Sequence, residues 1–371
     1  MTVPAHDSSS RAGPTELPSR LESLAAAWPD RRNELLLRAA LCEPAPARRS
    51  WDEWKSQNAL DEATWEDHKL LAVVAARLPR IDPEFPDARR LQGLLKALWS
   101  RAQINQQFSL RALDILIAAQ IPVLLLKGPA FDLAAPSRDR RRLSGDLDIM
   151  VRRRDLPRAL SLLIAREWGQ PDFPLARALQ YVRVRPGINL AHKDGGDIDV
   201  HHQPIHLRWM SDRALERLWQ RARPASFGGR NIFIPSDADL LCISASHGLR
   251  RKGEMCHGAW AMDFHHILTA PDARLQSLPE VADELGVAIH VLSALLFLRQ
   301  TLGIQIDPHL LAALERRSQT IGARMRYYAG TPARSERHRM SRRWVKRVIE
   351  AQLALLGYCF GPHRHLQGKI S

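Results

Sequence analysis

Apolar residues recur at spacings of three and four from about residue 20 to residue 120, in segments such as LESLAAAW, RRNELLLRAALC and HKLLAVVAARL. That spacing puts them on one face of a helix, so the region reads as amphipathic helices with one buried stripe each. The stretch from about Asp87 to Gln120 is the longest, one or two helices, and Pro79, Pro83 and Pro86 mark helix boundaries before it. At Ile121-Pro122 the period changes. VLLLKG (123–128) is a short, nearly continuous apolar run, as expected of a strand buried on both faces. Gly128-Pro129 follows, and PAFDLAA reads as a helix opened by proline in its first turn.

After a basic loop, DLDIMV (146–151) alternates acidic and apolar residues at the strand period of two. Residues 155–168 read as another helix. Within residues 182–203, Asn189–His192 and Asp197–His201 read as two strands joined by the turn Lys193-Asp194-Gly195-Gly196. From about Asp237 the pattern is helical again, and SRRWVKRVIEAQLALL near the C-terminus predicts one basic amphipathic helix. The expected fold is α+β: a disordered tail over 1–20, helices over 21–120, a small mixed β-sheet core over 121–235 and helices over 236–371.

The chemistry concentrates at Gly145-Asp146-Leu147-Asp148-Ile149-Met150-Val151. On a strand, residues two apart share a face, so Asp146 and Asp148 would stand side by side while Leu147 and Ile149 enter the core. Adjacent carboxylates repel unless a cation lies between them, and Mg²⁺ prefers carboxylate oxygens while keeping positions for phosphates and water. A third acid, Asp197 or Asp199, is available on one face of a later strand.

Two further pieces join these. Leu124-Leu125-Leu126-Lys127-Gly128-Pro129-Ala130 followed by Arg142-Leu143-Ser144-Gly145 and the Asp-x-Asp strand resembles an uncharacterised bacterial nucleotidyltransferase family of the DNA polymerase β-like superfamily. Asp199-Val200-His201 resembles that family's D-x-H strand. His247 with Trp260-Ala261-Met262-Asp263 resembles its H … W-x-x-D helical segment, so the likeness runs from about residue 90 to 270. The resemblance implies an enzyme that moves a nucleoside monophosphate from an NTP to a hydroxyl or phosphate acceptor, with Mg²⁺ or Mn²⁺. It implies Asp146, Asp148 and Asp199 as metal-binding and catalytic residues, Asp199 being preferred to Asp197 because it falls in the D-x-H element. It implies Lys127, Gly128, Arg142 and Gly145 near the nucleotide phosphates. His201, on the same face as Asp199, is a candidate to orient a carboxylate or line the pocket, and His247 and Asp263 are either pocket residues or a buried polar pair tying two helices together. Pro129 departs from the Gly-Ser or Gly-Gly common in the superfamily. Proline supplies neither hydroxyl nor N–H, so one phosphate contact is expected to be missing.

Composition narrows the picture only in part. Hydrophobic residues make up 45% and charged residues 25%, a globular balance. The N-terminal residues lack the apolar stretch of a secretory signal, and no apolar run is long enough to span a membrane. Cys42, Cys242, Cys256 and Cys359 are far apart without a CxxC pair, so reduced thiols and a cytoplasmic location are expected. His201, His202 and His206 lie close in sequence but lack the soft ligands of a zinc site. The net charge of +14 favours anionic partners, nucleic acid among them. It motivates an RNA-modifying transferase as one alternative, and Pro129 motivates another, an inactive binding or scaffold protein. Few aromatic residues accompany the basic runs, so nucleic acid is not the favoured partner.

Overall fold

In the computed structural model, residues 24–25, 27–136, 146–169, 174–206, 210–250 and 258–330 are described. Before the sheet come α1 (Arg31–Leu41), α2 (Pro44–Gln57), a short 3-10 turn (Leu60–Glu62), α3 (Trp65–Ile81) and α4 (Ala88–Ala118). Thr64 and Asp67 form a reciprocal cap at the start of α3, which stops the chain from unravelling there. Pro79 sits inside the last turn of α3 instead of beyond its end, and residues 88–118 form a single helix. Gln120, in a left-handed conformation, turns the chain from α4 into the sheet.

The sheet elements are β1 (Leu124–Leu125), β2 (Leu147–Met150), β3 (Gly187–Ala191), β4 (Asp197–His201), β5 (Arg223–Phe227) and β6 (Arg230–Ile234). The six strands form one sheet in the order β3-β4-β2-β1-β6-β5. It is mixed: β2 runs parallel to β4 and β1 parallel to β6, while β1–β2, β3–β4 and β5–β6 are antiparallel. Between these strands lie α5 (Pro129–Ala134), α6 (Leu156–Ile164), α7 (Leu175–Val184) and α8 (Asp212–Arg221). The turn after β3 carries Gly195 and Gly196 at positive φ. A Cβ at Gly196 would come 2.9 Å from Phe108 Cβ, so this hairpin needs glycine to lie against α4.

The C-terminal part contains α9 (Asp237–Gly248), α10 (Ala259–Leu268), α11 (Leu278–Glu284), α12 (Ala288–Leu302), α13 (Pro308–Arg317) and α14 (Ile321–Gly330). Helices α9 and α12 are buried on nearly all sides; α12 carries a near-continuous apolar run, whereas α9 also buries Asp237, Asp239, Ser244 and Ser246. The two helical regions flanking the core in sequence pack together, with α1 against α10 and α12. Trp28 Nε1 donates to Ser293 Oγ at 3.0 Å, and the Tyr327 hydroxyl donates to the Leu24 carbonyl at 2.8 Å. Sheet and helices share one continuous apolar core. The expected tail over 1–20 and the basic helix near the C-terminus lie outside the described residues.

Gly248 marks where α9 crosses α10: a Cβ there would lie 2.3 Å from Trp260 Cβ. Replacing glycine by alanine gains at most about 1 kcal/mol of helix propensity. Forcing these backbones apart costs about 1–3 kcal/mol, so Gly248→Ala is expected to destabilise the protein. Urea unfolding measures the difference, and an unchanged midpoint would contradict this packing.

Candidate active site

The parallel register of β2 and β4 sets Asp148 opposite Asp199 and Met150 opposite His201. Paired residues on neighbouring strands share a face, so two carboxylates and an imidazole come together on one side of the sheet. Their ligand atoms all lie within 4.8 Å of one another. His201 Nε2 stands 3.3 Å from Asp148 Oδ1 and 3.2 Å from Asp199 Oδ2. From the end of β1, Lys127 reaches across and its Nζ donates to Asp148 Oδ1 at 2.5 Å. The ladder continues into this corner, where the Leu126 N–H donates to the Asp148 carbonyl at 3.0 Å. Gly187, on β3, faces His201; a Cβ there would fall 2.7 Å from His201 Nδ1, so glycine makes the room for the ring.

Burial and charge oppose each other here. Burial pushes the Asp148 carboxyl up, but the Lys127 ammonium and the His201 hydrogen bond outweigh it and hold the group ionised. Asp199 is likewise held down, burial being outweighed by His201. His201 is raised, because its bonds to Asp148 and Asp199 overcome a burial that would lower it. Behind it the rings of His206 and His247 form a line, with centroids 5.7 Å from His201 to His206 and 5.9 Å from His206 to His247. Burial, then the charges of Arg250, His201 and Lys127, push His206 down to about 3. Arg250, half-buried just past α9, is lowered first by burial; Asp199 attracts its charge and Arg185 repels it.

The residues singled out in the sequence separate on this framework. Asp148, Asp199 and His201 converge. Asp146 sits at the bend before β2, open to solvent and outside that three-residue group, its carboxyl raised by the surrounding protein and by Asp148. Asp197 accepts from Asn189 Nδ2 at 2.5 Å, on the hairpin. Lys127, a candidate for neutralising phosphate charge, has its ammonium bound to Asp148. Gly128, at φ 52°, opens α5, and the N–H groups of Ala130 and Phe131 are already engaged by the Lys127 and Gly128 carbonyls at 3.1 Å. Those two donors are therefore not free for a phosphate. Arg142 and Gly145 lie outside the described residues. His247 adjoins the site through His206, whereas Asp263 accepts from Ser244 Oγ at 3.2 Å and so links α10 to α9. Arg250 was missed by the sequence reading, and His206 was weighed only as part of a zinc cluster. A basic residue at a helix end is a common feature, and nothing in the local pattern shows that this one faces Asp199.

The donor set fits a divalent cation. Two ionised carboxylates on adjacent strands supply hard oxygens, the choice of Mg²⁺ or Mn²⁺. A metal-bound histidine ordinarily donates its second ring N–H to a partner, yet His201 Nδ1 is buried with none. The ring therefore suits the task of holding the two carboxylates through Nε2.

A mixed sheet that brings together two acids and a histidine able to hold a cation makes this an α+β protein with a candidate metal site, and comparison identifies which kind. The family model described as "uncharacterised nucleotidyltransferase" matches residues 62–303, and the chain belongs to that family. Comparison with curated proteins finds no match. Among solved structures, an antigenic nucleotidyltransferase-like protein from Paracoccidioides brasiliensis is similar over 58% of this chain and 92% of its own, at 14% identity and a TM-score of 0.31. That likeness is too slight to bear on function.

His206 gives a pH test. Unfolded, it titrates near its ordinary value of 6.5; folded, it stays neutral down to about 3. As pH falls from 7.5 to 5 the unfolded chain gains a proton that the folded chain refuses, so this group removes about 2 kcal/mol of stability. His206→Gln should lose less stability over that range than wild type in urea unfolding. Equal losses would show that His206 titrates normally in the fold.

Proposed function

We propose that this protein is a metal-dependent nucleotidyltransferase that moves a nucleoside monophosphate from an NTP to a hydroxyl or phosphate acceptor. The observation that carries the proposal is the Asp148–Asp199 pair, aligned across parallel strands with His201 bonded to both, in a chain of this family. The acceptor oxygen attacks the α-phosphorus, the bond to pyrophosphate breaks, and the proton of a hydroxyl acceptor passes to solvent. Bound Mg²⁺ or Mn²⁺ supplies charge neutralisation on the phosphates.

Asp148 and Asp199 hold the cation, with Asp146 joining from the mouth of the site. The depressed pKa of Asp199 makes it a poor proton acceptor, so we assign it as ligand in preference to general base. His201 is a positioning residue. Arg250 and the histidine line add positive charge and polar lining beside the carboxylates, and Arg142 and Gly145 complete the phosphate side in this reading. We further propose a cytoplasmic location, in keeping with the free thiols of Cys42 and Cys242. No helix among the described residues is long and apolar enough to cross a membrane. A second reading, a nucleotide-binding protein without turnover, is favoured by one observation, the Lys127 ammonium bound to the central carboxylate.

The test is thermal stabilisation by each of the four NTPs with Mg²⁺ or Mn²⁺, together with pyrophosphate release. Binding at one hundred times Kd adds about 2.7 kcal/mol, an easily read shift. One NTP should give a metal-dependent shift that Asp148→Asn and Asp199→Asn abolish. A shift without pyrophosphate release across a panel of acceptors would favour the second reading, and no shift with any NTP would overturn both.

A further inference from the structure

We propose that Lys127 is a tethered cation that competes with a divalent ion for Asp148, so that the metal site becomes fully available only when the lysine leaves. The proposal rests on the nucleotidyltransferase reading of the site and concerns how that site is regulated. Asp148 Oδ1 already receives two nitrogen donors, Lys127 Nζ at 2.5 Å and His201 Nε2 at 3.3 Å. The lysine and the aspartate are both buried, with side-chain exposures of 11% and 7%. Water therefore screens the pair poorly, and an ammonium and a divalent cation repel strongly when they meet at one carboxylate oxygen.

The local chain is built for such an exchange. Lys127 follows Leu126 just past β1 and precedes Gly128, whose positive φ ends the strand run, so the ammonium rides on a flexible stem rooted in a fixed backbone. Asp199 stands within reach of the same group of donor atoms but carries no lysine, being bonded to His201. Asp199 is thus engaged by His201 alone, while Asp148 is held by both His201 and Lys127. A polyphosphate entering beside Asp148 offers the ammonium a second anion, which draws it away and lets the cation take its place. Metal and nucleotide would then bind together, and metal alone would bind weakly.

The experiment titrates Mn²⁺ alone into the full chain, reading free Mn²⁺ by electron paramagnetic resonance. Wild type is compared with Lys127→Met, which keeps the stem and removes the charge, and with Lys127→Arg, which keeps a charge. Because an unpaired buried Asp148 threatens folding, Lys127→Gln serves as a second neutral variant, with a donor left for the carboxylate. The expected result is at least tenfold tighter Mn²⁺ binding in the folded neutral variant than in wild type, weak binding in Lys127→Arg, and loss of the gain when Asp148→Asn is added. Asp148-dependent Mn²⁺ binding that is no tighter in the neutral variants overturns the competition and leaves the metal site standing. Mn²⁺ binding absent from wild type and every variant overturns the metal reading itself.

Discussion

The site depends on one constraint, the parallel register that brings Asp148 and Asp199 together inside a largely buried corner. Two unit charges about 4 Å apart interact by about 4 kcal/mol at an effective dielectric constant of 20, so this pairing is unfavourable on its own. It persists because Lys127 and His201 are delivered to the same place by β1 and by the end of β4. The sheet order explains the delivery. β2 lies between β1 and β4, so the central carboxylate can be reached from both neighbours. Moving β2 by one residue would turn Asp148 into the apolar face and bring Leu147 and Ile149 out.

Such a corner requires a rigid surround, and the helices supply it. The site strands are two to five residues long, too short to stand alone. They are held by α4 against β4, by α7 against β3 and by α5 against β6, and beyond them the helices before and after the sheet in sequence pack together. Buried polar ties among those helices, such as Trp28–Ser293 and Trp51–Asp82 at 3.0 Å each, fix which helices meet, while apolar area supplies most of the stabilisation. Arg221, in α8, does the same between elements, binding Asp239 at 2.7 Å and Glu284 at 3.3 Å.

Much of this was legible along the chain, for reasons that differ by element. The shift from helical spacing to the run at 123–128, then to the alternation at 146–151, marked β1 and β2 because period is a local property. The β3–β4 hairpin was legible from its Gly-Gly turn. The hairpin of β5 and β6 went unread although Gly228-Gly229 carries the same signal, because Arg223–Phe227 is mostly exposed and lacks apolar alternation. Helices α7 and α8 were missed as well, α7 because its end, Val182–Val184, looks like the start of a strand. In the site, the acids could be named from spacing. Which cation faces which acid could not, since Lys127 and Asp148 are 21 residues apart and meet only through strand pairing.

The electrostatic design of the corner follows from where charge is left uncompensated. Asp148 is matched by Lys127 and His201, and Asp199 by His201, so the inner face of the site is close to balanced. Toward the mouth the balance shifts. Asp146, at the bend before β2, is raised first by desolvation and then by Asp148, and Arg250 lies half-buried with Arg185 adding to its positive field. A ligand that suits this arrangement carries anionic groups toward Arg250 and a cation toward the acids, the charge pattern of a polyphosphate with its metal. An uncharged ligand would leave Arg250 partly desolvated without return, and a free cation would meet Lys127 first. Two opposite requirements within one cluster of side chains thus favour a ligand that brings both signs at once.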